Sequence, residues 1–489
     1  MIGLPKLVAL LLAITIETSA AAPAPAVAQD ALPAPGPERK VSVPAARDKV
    51  LANGLRVVVV NRAVTPLVSV ALYVRSGAEV DPPKLSGLTD LTAGLLDKGT
   101  TTRSAPQIAE AADSLGGSLS SGAGFDHSMA SITVTTPKLG PAMELLADVV
   151  RHPTFAPEEI ERERKQMLDA LRVALSQPGS VASKVAARAV FGTGAYGHSA
   201  GGTPASLPRI QREDVVNLHA TYYRPDNAVL VLAGDIDLDR ATQLAERSFG
   251  NWKSPSTPLP SSPAAQGKVM LSGAIAIDLP GAGQAAVAAV HAGIPRNSNE
   301  FYPALVTNAV LGGSYSARLN EEIRIKRGLS YGARSSLDVR RQGGSLGGSA
   351  QTKNPSAVEV AGLLLAEFDR LGATAPGDDE LTARKATLSG NFGFSLETTR
   401  GLLGQVAELA VYGLPLDELA RYLDKVQAVT GEQVRDFARA HLGKDATTIV
   451  IAGDASQFAD ALAKAYPHVE RFKAADLDLD SPTLKPAHK

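Results

Sequence analysis

The feature that most constrains the fold of this chain is an internal duplication. One half closes with Tyr222-Tyr-Arg-Pro-Asp-Asn-Ala-Val-Leu-Val-Leu-Ala-Gly-Asp235 and the other with Lys444-Asp-Ala-Thr-Thr-Ile-Val-Ile-Ala-Gly-Asp454, which sets Gly234 and Gly453 219 residues apart. Near the front of each half, Val70-Ala-Leu-Tyr-Val-Arg-Ser-Gly77 corresponds to Val287-Ala-Ala-Val-His-Ala-Gly293, at an offset of 216 or 217. Similar offsets at both ends mean that one folding unit is present twice. Within the unit the pattern is α+β. Residues 55–61, 68–76 and 131–136 are β-branched or alternating runs, whereas 88–96 is apolar at helical spacing. Residues 141–150 and 157–175 read as helices with proline in or near the first turn, the second with Glu158, Glu159 and Glu161 near its positive end.

The duplication predicts two domains, 43–252 and 269–472, joined by a Pro/Ser-rich linker at 253–268 whose composition disfavours helix and interior strand. In front of them, a short basic start ending at Lys6 precedes ten apolar residues, 7–16, and small-x-small sites at 19–21 and 26–28. That is the pattern of a secretory signal, taken as 1–28, so the chain is expected to be exported to a periplasm. Ten apolar residues are too few to span a bilayer and no later stretch is long enough, so no membrane span is expected. Residues 29–42 read as a disordered tether and 473–489 as a tail, disordered from about Ala475. With no cysteine the chain has neither disulfides nor a lipidated thiol, and a net charge of −1 offers no excess of cations for nucleic acid.

The first half contains Ser86-Gly-Leu-Thr-Asp-Leu-Thr-Ala-Gly-Leu-Leu-Asp-Lys-Gly-Thr100. This segment resembles the zinc-binding helix of the pitrilysin/insulinase family, in which Gly-Leu-x-His-x-x-Glu-His is followed by Lys-Gly-Thr. Two histidines one turn apart hold the metal there, and the glutamate activates water. Gly87-Leu88 and Lys98-Gly99-Thr100 keep the frame, but the ligand positions fall on Asp90 and Gly94 and the general-base position on Ala93. The family's third ligand is a glutamate about 76 residues beyond the second histidine. Counting from Gly94, or seven on from Glu163 in Glu161-Arg-Glu-Arg-Lys-Gln-Met-Leu-Asp-Ala170, both reach Ala170. The resemblance therefore implies a non-catalytic member with no metal of its own. It also implies two homologous α+β domains, each an antiparallel sheet with helices on one face.

The second half carries a further landmark of the same family. Leu311-Gly-Gly-Ser-Tyr-Ser-Ala-Arg-Leu-Asn-Glu-Glu-Ile-Arg-Ile-Lys-Arg-Gly-Leu-Ser-Tyr331 resembles the segment whose arginine and tyrosine, seven apart, bind substrate backbone; they correspond to Arg324 and Tyr331. A helix through Leu319, Ile323 and Lys326, capped by Gly328, would present the guanidinium just before a strand bearing the phenol. The structural alternative pairs Arg324 with Glu321 or Asn320 and buries Tyr331 in the strand core. His127 lacks a partner at ligand spacing and reads as structural; His198 and residues 202–207 resemble a family loop before a helix, with Thr203 and Ser206 as turn and cap residues, and His219 fits a family frame and reads as packing. Gly343-Gly-Ser-Leu-Gly-Gly348 lacks the Gly-Lys-Ser/Thr of a phosphate loop, and Ser176, Ser180 and Ser183 have no histidine nearby in sequence.

The resemblance, to a family in which some peptidases divide labour between subunits, implies a subunit that binds unfolded peptides and supplies Arg324 and Tyr331 to a zinc-bearing peptidase partner of the same family, with the zinc in the partner. An assembly scaffold using the same fold and an active metallopeptidase with unfamiliar ligands are the alternatives.

Overall fold

A computed structural model describes residues 42–271 and 273–486. The signal segment, nearly all of the tether and residues 487–489 lie outside it. The first sheet is built from β1 (Ala46–Val50), β2 (Arg56–Asn61), β3 (Leu67–Val74), β4 (Ser120–Ala123), β5 (Ser128–Thr135) and β6 (Ala228–Gly234), in the order β1-β2-β6-β3-β5-β4. The second contains β7 (Ala274–Asp278), β8 (Ala285–Gly293), β9 (Ser330–Val339), β10 (Gly344–Thr352), β11 (Thr448–Gly453) and β12 (Val469–Lys473), in the order β12-β7-β11-β8-β10-β9. Five strands of each sheet follow one order, as duplication requires. The sixth position is filled from opposite directions in the chain: β1, which precedes its sheet, runs antiparallel to β2, and β12, which ends its half, runs parallel to β7.

The two homologous α+β domains are as the resemblance implies, and each antiparallel sheet is mixed in detail. β2 pairs in parallel with β6, and β7 with β11, while the remaining inner pairs are antiparallel. Parallel neighbours need a long crossover, which the intervening helices provide, and local periodicity carries no record of strand direction. The repeated Ala-Gly-Asp has a steric origin. Gly234 has φ 130° and a Cβ there would lie 2.1 Å from the Leu67 carbonyl oxygen, and one on Gly453 would lie 2.8 Å from Ala285 Cβ.

Each sheet carries helices from its own half on one face. Leu139–Arg151 and Leu238–Phe249 cover Val57, Val70 and Leu232; Phe301–Leu311, Ala357–Ala373 and Gly431–His441 cover Val287, Ala289 and Ile451. The opposite faces are covered by exchange. Leu402, Val406 and Ala410, on Thr399–Val411 of the second half, pack on Val58, Val60, Val229 and Val231. In return Val181, Val185 and Ala189, on Pro178–Phe191 of the first half, pack on Ile275, Ile277 and Val450. This explains why β2 reads Arg-Val-Val-Val-Val-Asn without alternation, since both of its faces are buried.

The linker has no regular element and is tied down along its length: Arg224 donates to the carbonyls of Thr257 and Pro255, and the Ala195 amide to that of Ala264. Arg341, in the β9–β10 turn, crosses to the first half and donates to the carbonyls of Asp126 and Arg75. The C-terminal tail, expected to be disordered from about Ala475, is ordered through Pro486. Leu479 and Leu484 are buried beside Val181 and Ile275, and the Asp480 carboxylate accepts hydrogen bonds from Ser86 and Thr203. Leu479 and Leu484, with Leu477 half-buried against the same cluster, anchor the tail, because each fully buried leucine contributes about 1.5–3 kcal/mol.

Candidate functional site

The motif helix spans Leu88–Gly94. Asp81 fixes its start, accepting from the amides of Gly87 and Thr89 at 2.8 and 2.9 Å and from the Thr89 hydroxyl at 2.6 Å. Gly87 adopts φ 91°, and a Cβ there would lie 2.7 Å from Gly202 Cα. The surviving Gly-Leu frame is thus accounted for by folding, independently of any metal. At the other end Gly99 has φ 132°, and the Thr100 hydroxyl donates to Asp148 at 2.9 Å.

Between these anchors Leu91 and Leu95 turn into the core, which leaves Asp90 and Gly94 one turn apart on the less buried side. Ala93 is fully enclosed. Burial, then the carboxylates of Asp81 and Glu163, pushes Asp90 up to about 6. A Cβ on Gly94 would lie 3.1 Å from Glu163 Oε1. The carboxylate beside Gly94 is therefore Glu163, on the Pro157–Leu175 helix, which counting along the sequence did not single out as a site residue. Ala170, two turns further along, is exposed. These residues do not fit zinc: Gly94, Ala93 and Ala170 have no donor atom, and Asp90 and Glu163 are carboxylates without an imidazole. Among the described residues no three His, Asp or Glu side chains assemble as ligands.

In the second half, Arg318–Asn320 starts a helix that widens into a π turn over Glu321–Lys326. Leu319 and Ile323 bury its inner side, and Gly328, at φ 64°, ends it. The structural alternative for Arg324 and Tyr331 fails on both counts. Glu321 approaches Lys326, and Asn320 donates to the Tyr315 carbonyl while accepting from the Ala333 amide. The Arg324 guanidinium lies over the Tyr315 ring, 4.7 Å from its centre. Tyr331 is 87% exposed.

The exposure of Tyr331 has a backbone cause. In β9 against β10, Ala333 faces Ala350 and Ser330 faces Thr352, so that Tyr331 and Gly332 together oppose Gln351 alone. This is a β-bulge, which locally bends a strand and re-aims its side chains. The Ser330 hydroxyl holds it, donating to the Gly332 carbonyl at 2.8 Å and accepting from the Gly332 amide at 3.0 Å. Asn320 and Ser330, which position this segment, were not assigned that role from the sequence; the neighbouring Gly332 was the available signal.

The lone histidines serve packing. His127 meets Tyr73 edge-on, and burial lowers its pKa. His219 bonds the Val150 carbonyl, stacks on Tyr223 and is pushed down to about 4 by burial. His198 lies against Phe125. Ser206 donates to the Ser86 carbonyl and caps the Thr203 turn. Gly344–Thr352 is β10, with no phosphate loop. No helix among the described residues is long and apolar enough to cross a membrane.

Residues 56–203 match the family described as Insulinase (Peptidase family M16), and residues 209–388 match the Peptidase M16 inactive domain. The chain is 26% identical over 417 residues to the uncharacterized zinc protease YmxG of Bacillus subtilis, covering 82% of this chain and 96% of that protein. It is 27% identical over 430 residues to the uncharacterized zinc protease ML0855 of Mycobacterium leprae, covering 86% and 96%. Among solved structures, a peptidase M16 inactive domain from Pseudomonas fluorescens superposes with a TM-score of 0.78 at 27% identity, over 83% of this chain and 98% of that one. A protease from Helicobacter pylori, at 19% identity and TM-score 0.77 over 84% and 100%, shares the fold. A motif helix that keeps its frame and has lost its ligands, a duplicated two-sheet fold and these matches agree: the chain belongs to the insulinase family, peptidase family M16.

Proposed function

We propose that this chain is the non-catalytic, peptide-binding subunit of an exported zinc metallopeptidase, holding substrate backbone with Arg324 and Tyr331 for a zinc-bearing partner of the same family. The observation that carries this reading is the bulge, which presents Tyr331 to solvent in a family member whose motif helix has no ligand set. Arg324 supports it, since among the described residues its guanidinium is paired only with an aromatic face, which leaves its N–H groups for a peptide carbonyl. The chain supplies positioning: a phenol and a guanidinium that orient a scissile peptide, with bond cleavage left to the partner.

The test begins with affinity purification of the tagged mature chain from its own organism and identification of a zinc-bearing relative in the complex. In that complex Tyr331→Phe and Arg324→Ala should each lower kcat/KM about tenfold or more, with the complex intact, since a charge-assisted hydrogen bond is worth about 1.5–3 kcal/mol. The double variant should cost less than the sum, because both groups act on one peptide unit. Unaltered activity in both single variants would leave assembly as the better account.

A further inference from the structure

The exchanged helix Pro178–Phe191 covers only part of the second sheet. It lies over β8 and β11, and the outer strands β10 and β9 continue past it. The uncovered ledge and the first turns of that helix enclose a groove of about 590 Å³, with Tyr331 on its rim. From the helix side come Gln177, Ser180 and Ser183; from the sheet side come Ser349, Gln351 and Arg334.

Two properties of this lining point to a ligand class. First, none of these six side chains hydrogen-bonds to another group among the described residues, although the neighbouring Ser330 is engaged in the bulge. The groove therefore presents amide and hydroxyl groups to whatever enters it. Second, Arg334 is the one charged residue in the lining, and it has no acidic partner among the described residues. A cation among neutral donors recognises an anion, and a planar guanidinium suits a carboxylate. A fully cationic segment would find no counter-charge there. Because Tyr331 borders the groove, a peptide held at Tyr331 would have its neighbouring residues within reach.

We infer that this groove is a subsite for a carboxylate carried by the bound peptide, with Arg334 as its cation and the serine and glutamine side chains as neutral donors. The inference rests on the peptide-binding reading above and adds a preference to it. Two sources share the chemistry, a peptide C-terminus and an acidic side chain.

The experiment measures fluorescence anisotropy of rhodamine-labelled decapeptides of Ser, Gln and Ala with the purified chain. One peptide has a free C-terminus, one is amidated, and one is amidated with a single internal Glu. A carboxylate-bearing peptide should bind about five- to tenfold tighter than the amidated neutral one, and Arg334→Gln should bring it down to the affinity of that amide. Whichever peptide gains identifies the source. Equal affinities, or a preference that survives Arg334→Gln, would overturn the groove assignment while leaving peptide binding in place, provided Tyr331→Phe still weakens all three. If no peptide binds, the peptide-binding reading and this subsite fall together.

Discussion

Arg341 sets its guanidinium 3.3 Å from the carboxylate of Glu79, across the seam between the two halves. Glu79 is almost wholly buried, and burial, opposed by Arg341, pushes its pKa up to about 8. The folded state thus retains a proton that the unfolded chain loses above its ordinary pKa of 4.5. The resulting stabilisation is complete below pH 4.5 and is lost as pH rises through about 8. Urea titrations between pH 5 and 9 should show this decline, and Glu79→Gln should flatten it. Arg341→Ala should cost about 1–3 kcal/mol, because the Asp126 and Arg75 carbonyls and the buried Glu79 carboxyl lose their donor. A slope unchanged by Glu79→Gln would mean that another group titrates.

Asp90 gives a second pH signature. With its pKa raised from 3.8 to about 6, it opposes folding once it ionises. Asp90→Asn should therefore stabilise the protein by about 1–3 kcal/mol above pH 6, with the gain vanishing toward pH 4. Thermal melts at the two pH values test this, and a gain independent of pH would contradict it.

Metal content follows from the same helix. The purified chain should carry well under one zinc, measured by mass spectrometry after mild chelation. Replacing Asp90, Ala93, Gly94 and Ala170 by His, Glu, His and Glu should create zinc binding at a cost in apo stability, since Ala93 is fully enclosed and a carboxylate there is buried. Stoichiometric zinc in the parent would overturn the non-catalytic assignment.

Asn320 should govern the presentation of Tyr331. Asn320→Ala removes two bonds from a buried amide, to the Tyr315 carbonyl and the Ala333 amide, and should cost about 1–3 kcal/mol. Hydrogen exchange should accelerate first over residues 315–334. Acceleration spread evenly over the chain would mean that the amide supports global stability only.

The tail offers a simple truncation test. Ending the chain after Lys473 removes Leu479, Leu484 and the Asp480 bonds to the motif region, and should lower stability by about 3–6 kcal/mol. An unchanged melting temperature would show the tail to be passenger sequence.

Much of this architecture is legible in the sequence because β-branched runs and repeated glycines are local signals. The duplication and the Pro/Ser-rich linker follow from residues read a few at a time, whereas Arg324 and Tyr331 are reached only through the family resemblance of the segment around them. What stayed hidden depends on contacts between distant segments. Strand direction in β2 and β6 depends on the path between them, and nothing in Pro178–Phe191 announces that it will cover the other half's sheet. Glu163 escaped for a related reason: counting from Gly94 reaches Ala170, while the packing of the two helices places the earlier carboxylate beside the glycine. The bulge at Tyr331 shows only in the register of β9 against β10.

The exchange of covering helices bears on how such a chain could have diverged. Once two copies were fused and each lent a helix to the other's valine-rich face, neither could be excised without leaving that face bare. The two halves therefore stand or fall as one body, whatever residues the motif helix carries. With the helix start anchored by Asp81 and the sheet faces sealed from the far half, the fold does not depend on a ligand set at 90, 93, 94 and 170. An enzyme-like frame can thereby be a stable body without a metal centre to hold it together.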